Sequence, residues 1–483
     1  MFDHSRDEEE SDIQELLQRF QNLKNGRANA YIEEDDFERI IDHLDEKDEL
    51  SEAIIAVDLA LEQYPHSGSL LIKKADLFIA SRRFKEALQL LNIASLYDHK
   101  EMNLYILKTD AYLALDQPEK AIELLQEALQ LFEGTERIEL LFALADVYDD
   151  HENFDKVFDC LQLILEEDPE NEEALYKICF WTDFTGRNEE SIRLHEKIIN
   201  NQPYNALAWF NLAASFQGLK LYEKAIDAYQ YAIVIDEKFD YAYRNMGDAF
   251  LRLRRYREAI EALEKVLELS RPEDVIYEAI GHCYHKMKNF AQARFNYKKA
   301  LHLNTEDSRL YQKIASTYMM EGQWEMAIKQ LENALRIHKH INEYYIMMGE
   351  CYVQIEQFKE AIQYFGTVVK NKPKQIAGWE YLIRCLIANE QLDQALEQTE
   401  LAYISTQGKT IFIYYRSAIL FMMQKNDEGL LQLEMALIKS SKWLNKFVKF
   451  YPEIIQDPKV NLLISQFKKS KKSKKSTTRK QKK

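Results

Sequence analysis

The sequence predicts an all-α fold, a superhelical stack of helix-turn-helix repeats, and three observations predict it. An eight-residue pattern, YEKAIDAY at Tyr222–Tyr229, returns as FKEAIQYF at Phe358–Phe365. Each intervening step of 34 residues lands on a variant: YREAIEAL at Tyr256, FAQARFNY at Phe290 and WEMAIKQL at Trp324. Only 13 Gly and 8 Pro occur among 483 residues, which disfavours a turn-rich β protein. The hydrophobic share is 46% and the aromatic share 12%, ample for burial in a chain too long for one compact core.

The elements follow in chain order. Residues 1–33 form an acidic segment and a capping helix. Ser11-Asp-Ile-Gln14 has the form of a capping box, and Ile13, Leu16, Leu17, Phe20 and Leu23 make an apolar stripe before Gly26. Repeats then occupy 34–437, with starts near 34, 68, 102, 138, 172, 206, 240, 274, 308, 342, 376 and 410. The eight-residue pattern occurs twelve times, and every gap but one is 34. The exception is two residues longer, before Ile138, and predicts a longer turn between the third and fourth repeats.

Each copy lies in the second of two helical patterns. In the first, Trp209, Leu212, Ala213 and Phe216 fall at i, i+3, i+4 and i+7, which puts them on one helical face. In the second, Ala225, Tyr229 and Ala232 follow the same rule. Small residues sit where two helices approach closely and large ones fill the gaps beside them. The small slot is Ala in nine of twelve copies, with Val157, Ser191 and Gly429 as exceptions. One such pair cannot bury its apolar face, whereas a stack forms a continuous core. Beyond the repeats, 438–467 reads as capping helices, through Trp443, Phe447 and Phe450 before Pro452, then Val460, Leu463, Ile464 and Phe467 after Asp457-Pro458. Residues 468–483 form a basic tail without an apolar residue, expected to be disordered.

On these residues the chain resembles the tetratricopeptide repeat (TPR) family from Glu34 to about Leu437. Carriers include Trp209, Leu212, Ala213, Phe216, Ala225, Tyr229 and Ala232, and again Tyr345, Met348, Gly349, Tyr352, Ala361, Phe365 and Pro373. The closing proline of that family stands only at Pro65, Pro169, Pro203 and Pro373, with Pro272 one residue late. The resemblance implies a right-handed superhelix whose first helices line a concave groove for peptides. It implies no enzymatic activity and no cofactor.

Charge is polarised. Residues 1–171 hold 42 acids and 16 bases, residues 172–467 hold 38 and 37, and the tail holds ten bases and no acid. Such a chain is expected to meet charged partners. Five cysteines without CxxC spacing read as reduced, buried residues of a cytoplasmic protein. No secretory leader, no run of eighteen apolar residues, no phosphate-binding glycine loop and no HExxH is present. His282 and His285 share a helix face, but no third metal ligand accompanies them. These absences leave an enzyme without a visible site.

The expected function is therefore a non-enzymatic scaffold or adaptor that binds a peptide or helix of a partner in the groove. Two regions are candidates. Asp42, Asp76, Asp110 and Asp146 recur at one outward position of four successive first helices, an acidic cradle for Lys/Arg-rich segments unless Lys73, Lys74 and Lys108 neutralise it. In the middle repeats, equivalent positions carry Tyr176, Phe180, Phe210, Asn211, Tyr241, Arg244, Asn245 and Asp248. Asn211 and Asn245, one repeat apart, offer amides to a peptide backbone, and the aromatics offer anchor pockets. The Lys-rich tail supports an alternative, a nucleic-acid- or ribosome-associated protein. Contact with an anionic membrane surface and contact with the chain's own acidic groove are further readings, beside that of a solvated, solubilising tail.

Overall fold

Each repeat puts small residues on the seam between its helices and rings beside them, and that seam builds the fold. The computed structural model describes residues 2–26, 31–97 and 99–467, with side chains from Asp12 onward. Two compact units divide the chain, Met1–Leu253 and Arg254–Lys483. The first unit carries α1 (Phe2–Lys24), α2 (Glu34–Glu46), α3 (Leu50–Gln63), α4 (Gly68–Ala80), α5 (Phe84–Tyr97), α6 (Met102–Ala114), α7 (Pro118–Ala128), α8 (Gly134–Asp150), α9 (Phe154–Glu167), α10 (Glu172–Thr185), α11 (Asn188–Asn201), α12 (Ala206–Gly218), α13 (Tyr222–Ile235) and α14 (Asp240–Arg252). The second carries α15 (Tyr256–Leu269), α16 (Asp274–Lys286), α17 (Phe290–Leu303), α18 (Ser308–Met320), α19 (Trp324–Ile337), α20 (Asn342–Gln354), α21 (Phe358–Asn371), α22 (Ile376–Ala388), α23 (Leu392–Ser405), α24 (Ile411–Met422), α25 (Asn426–Lys439) and α26 (Leu444–Phe450). From α2 to α25, even-numbered helices lead their repeats and odd-numbered ones trail. No strand occurs among the described residues.

Within each unit successive helices pack on one another in chain order. The small slots of the trailing helices, such as Ala87, Ala225, Ala293 and Ala361, are fully buried. Tyr229, Tyr297 and Phe365 fill the neighbouring slots and are among the largest buried side chains. The fit is tight: a Cβ on Gly281 would lie 2.7 Å from the Tyr297 ring. Packing at this density is what turns a marginal helix pair into a stable layer.

The turns inside the repeats share one geometry. The second residue after the leading helix is usually left-handed, as at Lys220 (φ 62°), so that Leu221 N–H reaches Phe216 O at 2.9 Å. Asp48, Arg82, Asp116, Glu152, Lys220, Arg254, Lys288, Glu356, Glu390 and Gln424 take this conformation without being glycine, while Gly322 takes it without the steric penalty. Side-chain caps begin several leading helices: Ser67 Oγ accepts from Leu70 N–H at 3.1 Å and Asn205 Oδ1 from Ala208 N–H at 2.9 Å.

Two expectations require correction. Ser11 does not begin a helix, because α1 is already under way from Phe2. The acidic run Asp7–Glu10 lies in its first turns, where the helix dipole favours negative charge and Glu is a good helix former. The extra residues near Ile138 lengthen the turn by only one, to five residues at 129–133 against four between α9 and α10, and act mainly on the helices. They extend α8 to 17 residues, starting at Gly134, while α7 shortens to 11. At the other terminus the segment 458–467 is helical, and Asp457 Oδ1 accepts from Lys459 and Val460 N–H at 2.8 and 3.2 Å. The tail, with the readings attached to it, lies outside the described residues. Among those residues no helix is long and apolar enough to cross a membrane.

Candidate functional site

The leading helices of the first unit carry three adjoining features. The first is a column of carboxylates. Asp42, Asp76, Asp110 and Asp146 are exposed on α2, α4, α6 and α8. Desolvation, then the charges of Asp45 and Asp42, hold the Asp76 carboxyl above the ordinary range against the pull of Lys73. Desolvation and Asp76 raise Asp110 in turn. Asp146 is raised by desolvation and by Glu173, Asp150 and Asp149, and lowered by Lys177 at 3.9 Å. The aspartates of α2, α4 and α6 therefore feel one another from repeat to repeat.

The lysines do not neutralise this column evenly. Lys73 pairs with Asp42. Lys74 turns away to Asp58 on α3 at 2.6 Å. Lys108 is buried, and desolvation lowers its ammonium pKa. Asp76 and Asp110 form no ion pair among the described residues.

The second feature is a stripe of rings on α10. Tyr176, Phe180 and Phe184, at i, i+4 and i+8, are each about 60% exposed. Behind them Trp181 stacks on Phe154 at 5.2 Å between ring centroids, and Phe180 meets Trp181 edge-on at 4.9 Å. Exposed rings in a row are unusual, because burial of such area is favourable.

The third feature is a cavity of about 550 Å³ at α10, α12 and α14. Phe180, Thr182, Asn211, Gln217, Asn245 and Asp248 are among its lining residues. Gln217 Nε2 donates to Asp248 Oδ2 at 3.0 Å while its Oε1 accepts from the Tyr229 hydroxyl at 3.1 Å. Cys179, half-buried at the wall, has its thiol pushed up to about 11 by burial and the nearby Asp183 charge.

The cavity adjoins a departure from the repeat. Elsewhere in this unit the position of Thr182 holds Leu44 in the first repeat and Phe78, Tyr112, Tyr148, Phe216 or Phe250 in the others, and the position of His195 holds Val57, Leu91, Leu125, Leu161 or Tyr229. In this repeat Thr182, Ser191 and His195 are all buried and polar. His195 Nδ1–H donates to Ser191 O at 2.7 Å, and its Nε2 accepts from Asn211 Nδ2 at 3.2 Å. Ser215 Oγ lies 2.8 Å from both Ser191 Oγ and Asn211 O. Burial holds His195 down to about 4, so the imidazole stays neutral. With its ring slot empty, α10 packs on α9 and α12 and only marginally on its own partner α11.

These facts sort the candidates. Phe180, Asn211, Asn245 and Asp248 line one cavity; Tyr176, Phe210, Tyr241 and Arg244 do not. Phe210 instead packs on Tyr229 and Phe239, at centroid distances of 5.7 and 5.0 Å. The ladder reading of Asn211 needs correction. Its two amide hydrogens are used on Leu175 O, at 2.8 Å, and on His195, and the residue is 2% exposed. The network itself was missed by pattern reading, although Ser191 had shown as an exception in the small slot and Thr182 breaks a column of rings. Among the described residues no group of three or more His, Cys, Asp or Glu could hold a metal ion.

Helix pairs repeating at an interval of 34 residues and packed in chain order define an α-α solenoid. A model described as tetratricopeptide repeat matches residues 240–272, and one described as anaphase-promoting complex, cyclosome, subunit 3 matches residues 286–368. With the twelve helix pairs of the fold, these matches identify repeats of the tetratricopeptide type in the chain. No curated protein matches it. Among solved structures it is similar to the C-terminal part of a TPR protein of Cytophaga hutchinsonii, at 16% identity over 53% of this chain and 98% of that one, TM-score 0.44. It is also similar to YrrB, described as a TPR protein with an unusual peptide-binding site, at 19% identity over 38% and 96%, TM-score 0.34. The Cut9-Hcn1 hetero-tetramer of the APC/C matches at 12% identity over 81% and 97%, TM-score 0.34. At these identities the likeness concerns the fold alone.

Proposed function

We propose that this protein is a non-enzymatic, cytoplasmic interaction scaffold that holds a partner segment rich in Lys and Arg along the leading helices of its first unit. The observation that carries the reading is the row of exposed carboxylates on α2, α4, α6 and α8, in which Asp76 and Asp110 have no ion-pair partner among the described residues; desolvation and neighbouring aspartates raise both. Like charges held within reach of one another cost folding energy, and a cationic partner relieves that cost. The aromatic stripe of α10 then offers rings to which guanidinium or apolar side chains can add. A match over residues 286–368 to a subunit of a large assembly agrees with a scaffold.

Binding of a Lys/Arg-rich peptide and of its Glu-substituted counterpart to the full chain, measured by fluorescence anisotropy at two salt concentrations, tests this. The basic peptide should bind, weaken with salt, and lose at least about tenfold in affinity in the Asp42/Asp76/Asp110/Asp146→Asn variant. Undiminished binding in that variant would overturn the acidic cradle.

A further inference from the structure

Thr182 occupies a slot that holds a ring in each neighbouring repeat. Phe78, Tyr148 and Phe250 in that slot are largely buried. Around Thr182 the space stays open as the cavity already described, and its walls are unlike an ordinary repeat seam. Asn211 and Ser215 are more than nine-tenths buried, yet both face the cavity. Asn211 has spent both amide hydrogens inside the fold, and its Oδ1 meets no donor among the described residues. Where Asn211 meets the cavity, that oxygen is open to a donor that a ligand brings. The rings of Phe180, Tyr222 and Tyr229 give the lining its flat apolar surface, and Asp183, Lys220, Asp248 and Arg252 give it a charged part. The lining thus sets rings and the open Asn211 oxygen beside a charged wall.

From this geometry we infer that the cavity is a receptacle for a tyrosine side chain of a partner, which supplies the ring that the fifth repeat lacks and donates its phenol O–H to Asn211 Oδ1. A phenylalanine would fill the ring space and leave the acceptor unmet; an aliphatic side chain would do neither as well. The buried network of Ser191, His195 and Ser215 is then the scaffold that keeps Asn211 pointed into the space, and the loosened contact of α10 with α11 leaves room for entry. This deepens the scaffold reading in one respect, that the ring arrives on a partner chain, but the receptacle can be tested without any partner and without the acidic column.

The probe is N-acetyltyrosinamide, titrated into the full chain by ligand-observed NMR beside N-acetylphenylalaninamide and N-acetylleucinamide. Saturable binding in that order of affinity is expected, with the leucine compound at least about tenfold weaker than the tyrosine compound. Thr182→Tyr should fill the slot from within, raise the melting temperature and abolish binding. Ala214→Leu, which narrows the cavity from a half-buried position, should weaken binding without needing a core rearrangement. The inference falls if no saturable binding occurs, if the leucine compound binds as well, or if either folded variant binds undiminished. Loss of tyrosinamide binding with basic-peptide binding intact would remove this inference alone; the reverse result would remove the acidic cradle alone.

Discussion

Asn211 illustrates how neighbours decide what a side chain can offer: two hydrogens committed to Leu175 O and His195, one oxygen left over. His195 itself makes that arrangement depend on pH. Its folded value of about 4 lies below the ordinary 6.5, so between these values the folded chain binds fewer protons than the unfolded one. Stability from this group is whole above pH 6.5 and is lost as pH falls towards 4, by roughly 3 kcal/mol. Asp76, Asp110 and Asp146 act with the opposite sign. Their raised values mean that stability is greatest below the ordinary carboxylate value of 3.8 and declines as pH rises through the raised values. Thermal midpoints across pH 4 to 7 should separate the two. His195→Gln should flatten the loss on the acid side, and Asp76→Asn with Asp110→Asn should raise the midpoint at neutral pH. An unchanged acid slope in His195→Gln would show that this imidazole is not the source.

Among the elements, the repeat period was legible because each layer reuses the same small and large slots, as at Ala225 with Tyr229 and Ala361 with Phe365. Element lengths were less so. The choice between a longer turn and a longer α8 depends on what Leu140, Leu141 and Leu144 bury, and spacing alone does not carry that. The middle site was legible only in part: exposed rings such as Tyr176 and Phe180 follow from helical spacing, whereas the role of Asn211 is set by His195, an off-pattern residue on another helix. The turns hold a further consequence. Lys220 sits at φ 62° with a side chain that gains nothing there, so Lys220→Gly should stabilise by about 1 kcal/mol in chemical denaturation. Gly186→Ala, at φ 73°, should cost a similar amount. Equal midpoints for Lys220→Gly and wild type would mean that the turn strain is relieved locally.

Across the molecule, stability is a sum over neighbours, because each layer touches little beyond the next. Such an array is as firm as its weakest junction, and within the first unit that junction is α10 with α11. Native-state hydrogen exchange should find the amides at the start of α11 less protected than those at the start of α13, whose repeat keeps Phe216 in the ring slot. Equal protection would show that the polar network substitutes fully for the missing ring.

The lengthened α8 also matters for anything lying across these helices. Its four added residues amount to one turn, about 6 Å, and Gly134, Thr135 and Glu136 there stand in solvent while Arg137 braces the turn to Leu129 O and Glu167. That turn carries the start of α8 one turn beyond the length of the leading helices on either side of it in sequence, α6 and α10. An extended segment running past the beginnings of these helices meets a step there worth about two residues of its own length.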